Sequence, residues 1–145
     1  MHPVVALNAV NLTTAAGWLT ASAAGCRIVR RDRCWEATGY RWRFPFAGAF
    51  TIGCVVISRQ RVPEAVWEHE MAHVRQYAIL GWLFVPAYLA ASGYSLVRTG
   101  DWWSRNVFER AAGLSAGGYR EHPARAFIWS GRRRPGATAA GAVTA

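Results

Sequence analysis

From Gln76 to Val97 the chain carries no charged residue. A run of that length is either a span across a bilayer of about 30 Å or a helix that lies at an interface or under the rest of the protein. Arg75, Trp82, Arg98, Trp102 and Trp103 near its ends suit a span, because Arg and Trp anchor at the edges of the apolar slab. Gly81, Pro86 and Gly93 interrupt it, and predict a turn at Gly81 followed by a kinked or buried helix from about Trp82 to Val97.

The segment just before this run decides between the two. Trp67-Glu68-His69-Glu70-Met71-Ala72-His73 contains H-E-x-x-H. Pro63 suits a first helical position and Glu64 the positive end of a helix dipole, so a helix is predicted from Pro63 to about Ile79. On it, Trp67, Met71, Val74 and Ala78 form a packing stripe, while Val66, His69, His73 and Gln76 line another face. His69 and His73 then project together as two metal ligands, and Glu70, one residue round, can reach a metal-bound water as general base. A pair of neutral histidines satisfied by core hydrogen bonds would produce the same spacing without chemistry.

A catalytic zinc site takes three protein ligands and leaves a position open. The metzincin pattern is ruled out, since Gln76 and Ile79 stand where its Gly and third His belong. Later donors are Asp101, Glu109, Glu121 and His122. Glu109 leads, because Asn106 or Ser104 can cap a short helix that shows Glu109 in its first turn. The plainer alternative is a first-turn Glu paired with Arg105 or Arg110. If residues 82–97 crossed a bilayer, His73 and Glu109 would start on opposite sides. The segment from Val97 to Glu109, at most about 40 Å extended, would then have to return through lipid with unpaired backbone. A Glu109 ligand and a simple span therefore exclude one another.

At these residues the chain resembles zincin metallopeptidases of the gluzincin kind. It is most similar to small bacterial proteins with His-Glu-x-x-His-x-x-Gln followed by an Asn-x-Phe-Glu-Arg segment, matched here by His69, Glu70, His73, Gln76 and then Asn106, Phe108, Glu109, Arg110. The resemblance implies Zn2+ held by His69, His73 and Glu109, with catalysis by Glu70 and support of the site from behind the ligands by Gln76 and Asn106. It implies hydrolysis of a peptide or protein substrate, with a strand near the motif helix pairing to the substrate's main chain. Tyr77, Tyr119, Arg75 and His122 are all able to stabilise an oxyanion, and the sequence does not rank them. The competing reading is a membrane-associated, non-catalytic protein anchored by residues 76–97.

The remaining chain sets the frame. At 145 residues and 52% hydrophobic content it can bury a core, so residues 1–130 are expected to form a single zincin-like domain. Residues 131–145 read as a flexible, basic, Ala/Gly-rich tail. The net charge of +9 comes entirely from Arg, scattered and without a nucleic-acid-binding signature, so nucleic acid is not an expected partner, whereas an anionic membrane surface is compatible. Cys26, Cys34 and Cys54 show no C-x-x-C spacing and read as free thiols in a reducing compartment, with a Cys26–Cys34 pair across a hairpin as the alternative. Ala21-Ser22-Ala23 resembles a signal cleavage site. No basic residue precedes the apolar part, however, and Asn8 and Asn11 interrupt it, so secretion is not expected and a cytoplasmic or membrane-associated location is. A helix is expected instead from Asn11 or Thr13 to Gly25, with Leu12, Ala15, Ala16 and Leu19 turned to the core. Alternation in Tyr40, Trp42, Phe44 and Phe46 predicts a strand, paired as a hairpin with a second strand over Phe50–Ser58 that is covered on both faces. A last helix broken by Pro123 is expected within Tyr119–Trp129. Together these give an α+β class, with a hairpin or small antiparallel sheet on the motif helix and further helices around it.

Overall fold

The computed structural model describes residues 2–45 and 47–125. The order of elements is α1 (Pro3–Val10), α2 (Thr13–Ala23), β1 (Arg27–Arg31), β2 (Cys34–Thr38), β3 (Ala49–Ile52), β4 (Val55–Ser58), α3 (Glu64–Leu80), a 3-10 turn (Gly81–Leu83), α4 (Phe84–Thr99) and α5 (Val107–Ala112). The class is α+β, as expected.

The sheet runs β1-β2-β4-β3 and is mixed. Two antiparallel hairpins, β1 with β2 and β3 with β4, are joined through a parallel pairing of β2 with β4. This corrects two expectations. The sheet is not purely antiparallel, and the hairpin lies wholly inside residues 49–58, where Gly53 at φ +59° makes the turn. Residues 40–45 form no strand, and Phe46 lies outside the described residues. Tyr40 is buried, but Trp42 and Phe44 are exposed, so their alternation reflects no covered face. Strand β4, within the expected partner stretch, already has β2 on one side and β3 on the other.

Strand β4 is buried along its whole length. Val55 and Ile57 face a cluster with Ala21, Ala24, Ala37 and Tyr40, while Val56 faces Cys34, Cys54, Trp67 and Val74. Full burial of side chains this size stabilises by about 1.5–3 kcal/mol each. Helix α2 covers the first face through Thr13, Gly17 and Ala21 rather than through Leu12 and Leu19, which are exposed. Closeness explains the reversal. A Cβ on Gly17 would stand 2.4 Å from the Ile52 carbonyl oxygen and 2.9 Å from Val55, so only the small-residue stripe lets the helix lie this close to the sheet.

Helix α1 is an element the sequence reading missed. Its Asn8 is fully buried and donates to the Val74 carbonyl at 2.9 Å, and Asn11, just past its end, donates to the Tyr77 carbonyl at 3.2 Å. Two asparagines that break an apolar run are thus what fasten it to α3.

All three cysteines are free. Cys26 and Cys34 flank opposite ends of the β1–β2 hairpin, so they do not pair; the buried Cys34 sits beside Cys54 instead. The described part of the last expected helix, residues 119–125, is not helical, and the 131–145 tail lies outside the described residues.

By length and composition the helical run Glu64–Thr99 is long and apolar enough to cross a membrane, and only 17% of its most apolar window is buried. Its course is not straight. His73 and Tyr88 would stand about 22 Å apart along one helix axis, yet their rings are 6.1 Å apart. The chain turns back at Gly81, at φ +54° and ψ −133°, a conformation open to glycine. Pro86 falls in the first turn of α4, where its missing N–H costs no helical bond, so it starts the helix rather than kinking it. This return brings α5 and Glu109 to the motif helix.

Candidate metal centre

Between Glu64 and Leu80 no Gly or Pro interrupts α3, and both of its lengthwise faces are covered: Trp67, Val74 and Ala78 on one, His69, Glu70 and His73 on the other. Helix α5 is placed by a bonded turn. The Asp101 carboxylate accepts from the Trp103 and Ser104 amides at 3.0 and 2.8 Å, and the Ser95 hydroxyl accepts from the Arg105 amide at 2.7 Å. Asn106 then caps the helix, accepting from the Phe108 amide at 2.9 Å, while its own amide donates to Ser92 Oγ at 2.8 Å. The buried cap fixes the first turn, and with it Glu109.

His69, His73 and Glu109, all buried, bring their ligand atoms within 4.8 Å of one another. His69 Nε2 lies 3.2 Å from His73 Nε2 and 3.2 Å from Glu109 Oε2, and His73 Nε2 lies 3.6 Å from Glu109 Oε1. Asp101 is used in its turn, Glu121 is exposed and paired with Arg110 at 2.8 Å, and the His122 amide donates to Ser104. Of the late donors in the sequence, only Glu109 reaches the histidines. Its plainer role also falls away, because Arg105 and Arg110 both pair with Glu121.

The hydrogen bonds behind the histidines fix where their protons are. His69 Nδ1 faces the Gly113 carbonyl at 3.1 Å, which can only accept, so Nδ1 carries the hydrogen. The Gln76 amide donates to the Phe108 carbonyl at 3.0 Å, which turns its oxygen to His73 Nδ1 at 2.7 Å. That nitrogen is protonated too. Both Nε2 lone pairs therefore point inward, toward each other and toward a carboxylate. Glu109 Oε2 finds no hydrogen-bond donor among the described residues despite its 3.2 Å approach to His69, which follows if the facing nitrogen bears no hydrogen.

Three buried acceptors meeting without a donor are costly unless a cation joins them. A small divalent ion held tetrahedrally at about 2.0–2.1 Å needs ligand atoms ~3.3 Å apart; the closest approaches are 3.2 Å between the imidazoles and 3.2 and 3.6 Å from them to the two oxygens of the Glu109 carboxylate, and one ligand atom from each residue lies within 4.8 Å of the others. The residues fit a metal ion.

Electrostatics agree. Burial would lower the His69 and His73 pKa values, but the Glu109 carboxylate beside them raises both above the ordinary range. Burial would raise that of Glu109, and the imidazoles, with the Tyr88 hydroxyl donating to Oε1, hold it down at about 2. Glu70 is set apart from the three: its Oε2 accepts from the Thr51 hydroxyl at 2.6 Å, and burial pushes its pKa up.

Several contributors carried no sequence signal. Tyr88 sits inside the apolar run, far in sequence from either ligand helix segment, and only the turn at Gly81 brings it to Glu109. Thr51 belongs to edge strand β3, and the Gly113 and Phe108 groups act through their backbones. Among the four groups able to stabilise an oxyanion, Tyr119 is the one whose ring lies beside a ligand, 6.1 Å from that of His69.

Gly117 closes the site at His69. A Cβ there would stand 2.6 Å from His69 Cε1 and 2.8 Å from Nε2. Gly117→Ala should therefore weaken metal binding about 10–100-fold, the cost typical of a misdirected ligand, while the folded structure is retained. Competition against a chromogenic chelator measures this, and unchanged affinity would show that the ring has room to shift.

No family model, curated protein or solved structure matches the chain.

Proposed function

We propose that the protein is a zinc-dependent peptidase whose metal is held by His69, His73 and Glu109. The observation that carries this reading is the set of three converging acceptors with Glu70 beside them and outside the set. Two imidazoles and one carboxylate suit zinc, and three protein donors leave the open position that a catalytic site needs; among the described residues no further His, Cys, Asp or Glu joins them. A bound zinc ion supplies Lewis-acid chemistry, bringing the pKa of a water near 7 and polarising a carbonyl.

The chain's own residues do the rest. Gln76 and the Gly113 carbonyl hold the imidazoles in the tautomer that offers Nε2 inward, and Glu109 offsets charge. Glu70 keeps one oxygen on Thr51, which leaves the other to take a proton from water and return it to the leaving amine. Its raised pKa makes it a stronger base than an exposed glutamate. Tyr119, whose ring lies 6.1 Å from that of His69, would be the group to meet charge developing on the carbonyl oxygen.

The test is cleavage of a fluorogenic peptide mixture by the purified full chain. Hydrolysis that is lost on chelation with 1,10-phenanthroline and restored by added zinc supports the reading. A zinc-loaded preparation that cleaves no peptide would reduce the centre to a structural one.

A further inference from the structure

The charges of this chain are segregated. All eight acidic residues fall within residues 32–70 and 101–121, and none lies in 1–31 or 71–100. The acid-free segments include α1, α2, the second half of α3 and α4, and the fold brings the α1–α2 junction against the turn between α3 and α4. Asn11, at the α1–α2 junction, donates to the Tyr77 carbonyl, and the position of a Cβ on Gly81 lies 3.5 Å from Asn11 Nδ2. Two bends of the chain thus meet, one of 74° between α1 and α2 and one at Gly81.

What these two bends show to the outside is apolar. Val10 is 81% exposed, Leu12 63%, Ile79 79%, Trp82 54% and Leu83 70%. Water makes such a patch unfavourable, and patches of this kind mark a surface that something covers. The bend at Gly81 excludes a straight span, so neither bend carries its helices through a bilayer as one rod.

We propose that this double bend is a membrane-insertion tip, which dips into one leaflet of a bilayer containing anionic phospholipid. Val10, Leu12, Ile79 and Leu83 would enter the acyl boundary, Trp82 would sit at the headgroup level, and the exposed Arg75, six residues before the bend, would meet lipid phosphate. At the tip the Tyr77 carbonyl is capped by Asn11. A lipid surface offers anions to the exposed Arg75, whereas a second copy of this acid-free face offers none. His73 lies six residues before Ile79, about 9 Å up the same helix. The metal centre would then stand just above the lipid surface. The inference rests on the distribution of charge and exposure and does not require the peptidase reading.

Flotation of the purified full chain with vesicles tests it, using phosphatidylcholine alone and phosphatidylcholine with phosphatidylglycerol. The wild type should float with the anionic vesicles and less with the neutral ones. An Ile79→Glu/Leu83→Glu double variant should float at least tenfold less, with its circular dichroism and metal content unchanged, since both side chains are exposed. As a check that needs no stable double variant, brominated phosphatidylcholine should quench the tryptophan emission of the wild type, and Trp82→Phe should remove the larger part of the quenching. Wild-type protein that stays unbound on both vesicles overturns the proposal. So does equal flotation of the double variant, or a vesicle-indifferent dimer that the double variant dissolves. Loss of peptide cleavage with flotation intact would count against the peptidase reading alone.

Discussion

Glu109→Gln should abolish stoichiometric metal binding while the fold stands. The substitution keeps shape and removes the charge that two inward-facing imidazoles and a cation require. Its new amide group would donate to the Nε2 lone pairs and so satisfy them where the metal would have done. The loss of affinity should exceed the 10–100-fold that removal of a group behind a ligand costs, and a chelator-competition titration should return a shift of more than about a hundredfold. Because the amide replaces missing donors, thermal stability of the metal-free variant should equal or exceed that of the metal-free parent. Affinity within a few fold of the parent would remove Glu109 from the ligand set.

Glu70→Gln should have the opposite profile, with metal retained and turnover lost. Glu70 stands outside the three-residue cluster and is held by Thr51, whose hydroxyl can donate equally well to an amide oxygen. Geometry should survive, and the variant loses only the capacity to carry a proton. Removal of a positioned general base costs about 10²–10⁴ in rate. The expected result is therefore a fall in kcat of that order with KM little changed, and zinc content equal to that of the parent. Activity within about threefold of the parent would assign the proton to another group.

The ligand helix was legible because its signals are local. Pro63, Glu64 and the gap before Gly81 define α3, and the four-residue spacing of His69 and His73 puts them on one face whatever the rest of the chain does. Asn106 was legible as a cap for the same reason, and Glu109 followed from it. Coverage on both faces was legible in the apolar run 50–58, which is seen in β4, but the turn at Gly53 that splits the run into two strands was not.

What the sequence hid depends on partners far along the chain. Strand β1 is rich in Arg and β2 shows no clean alternation, and β2 is held in the sheet by its parallel neighbour β4. Residues 40–45 alternate well yet form no strand, the Tyr40 amide making a single bond to the Ser58 carbonyl of β4. The α2 stripe inverted because close approach to the sheet selects for small side chains at Gly17 and Ala21 over the larger leucines. Asn8 and Asn11 looked like breaks in an apolar run, and their role needs the carbonyls of Val74 and Tyr77, which no local pattern announces. The conflict between a span at residues 82–97 and a ligand at Glu109 was visible in advance, and the turn at Gly81 settles how the chain brings Glu109 back to the histidines.

The central claim is that His69, His73 and Glu109 hold one metal ion. X-ray absorption at the zinc edge, on full-length protein loaded with a single equivalent, tests it most directly. The account predicts a first shell of two imidazole nitrogens and oxygen donors at about 2.0–2.1 Å, with outer-shell imidazole scattering that falls by half in His73→Ala. A shell containing sulfur near 2.3 Å would place the metal at Cys34 and Cys54 instead, and would contradict the account.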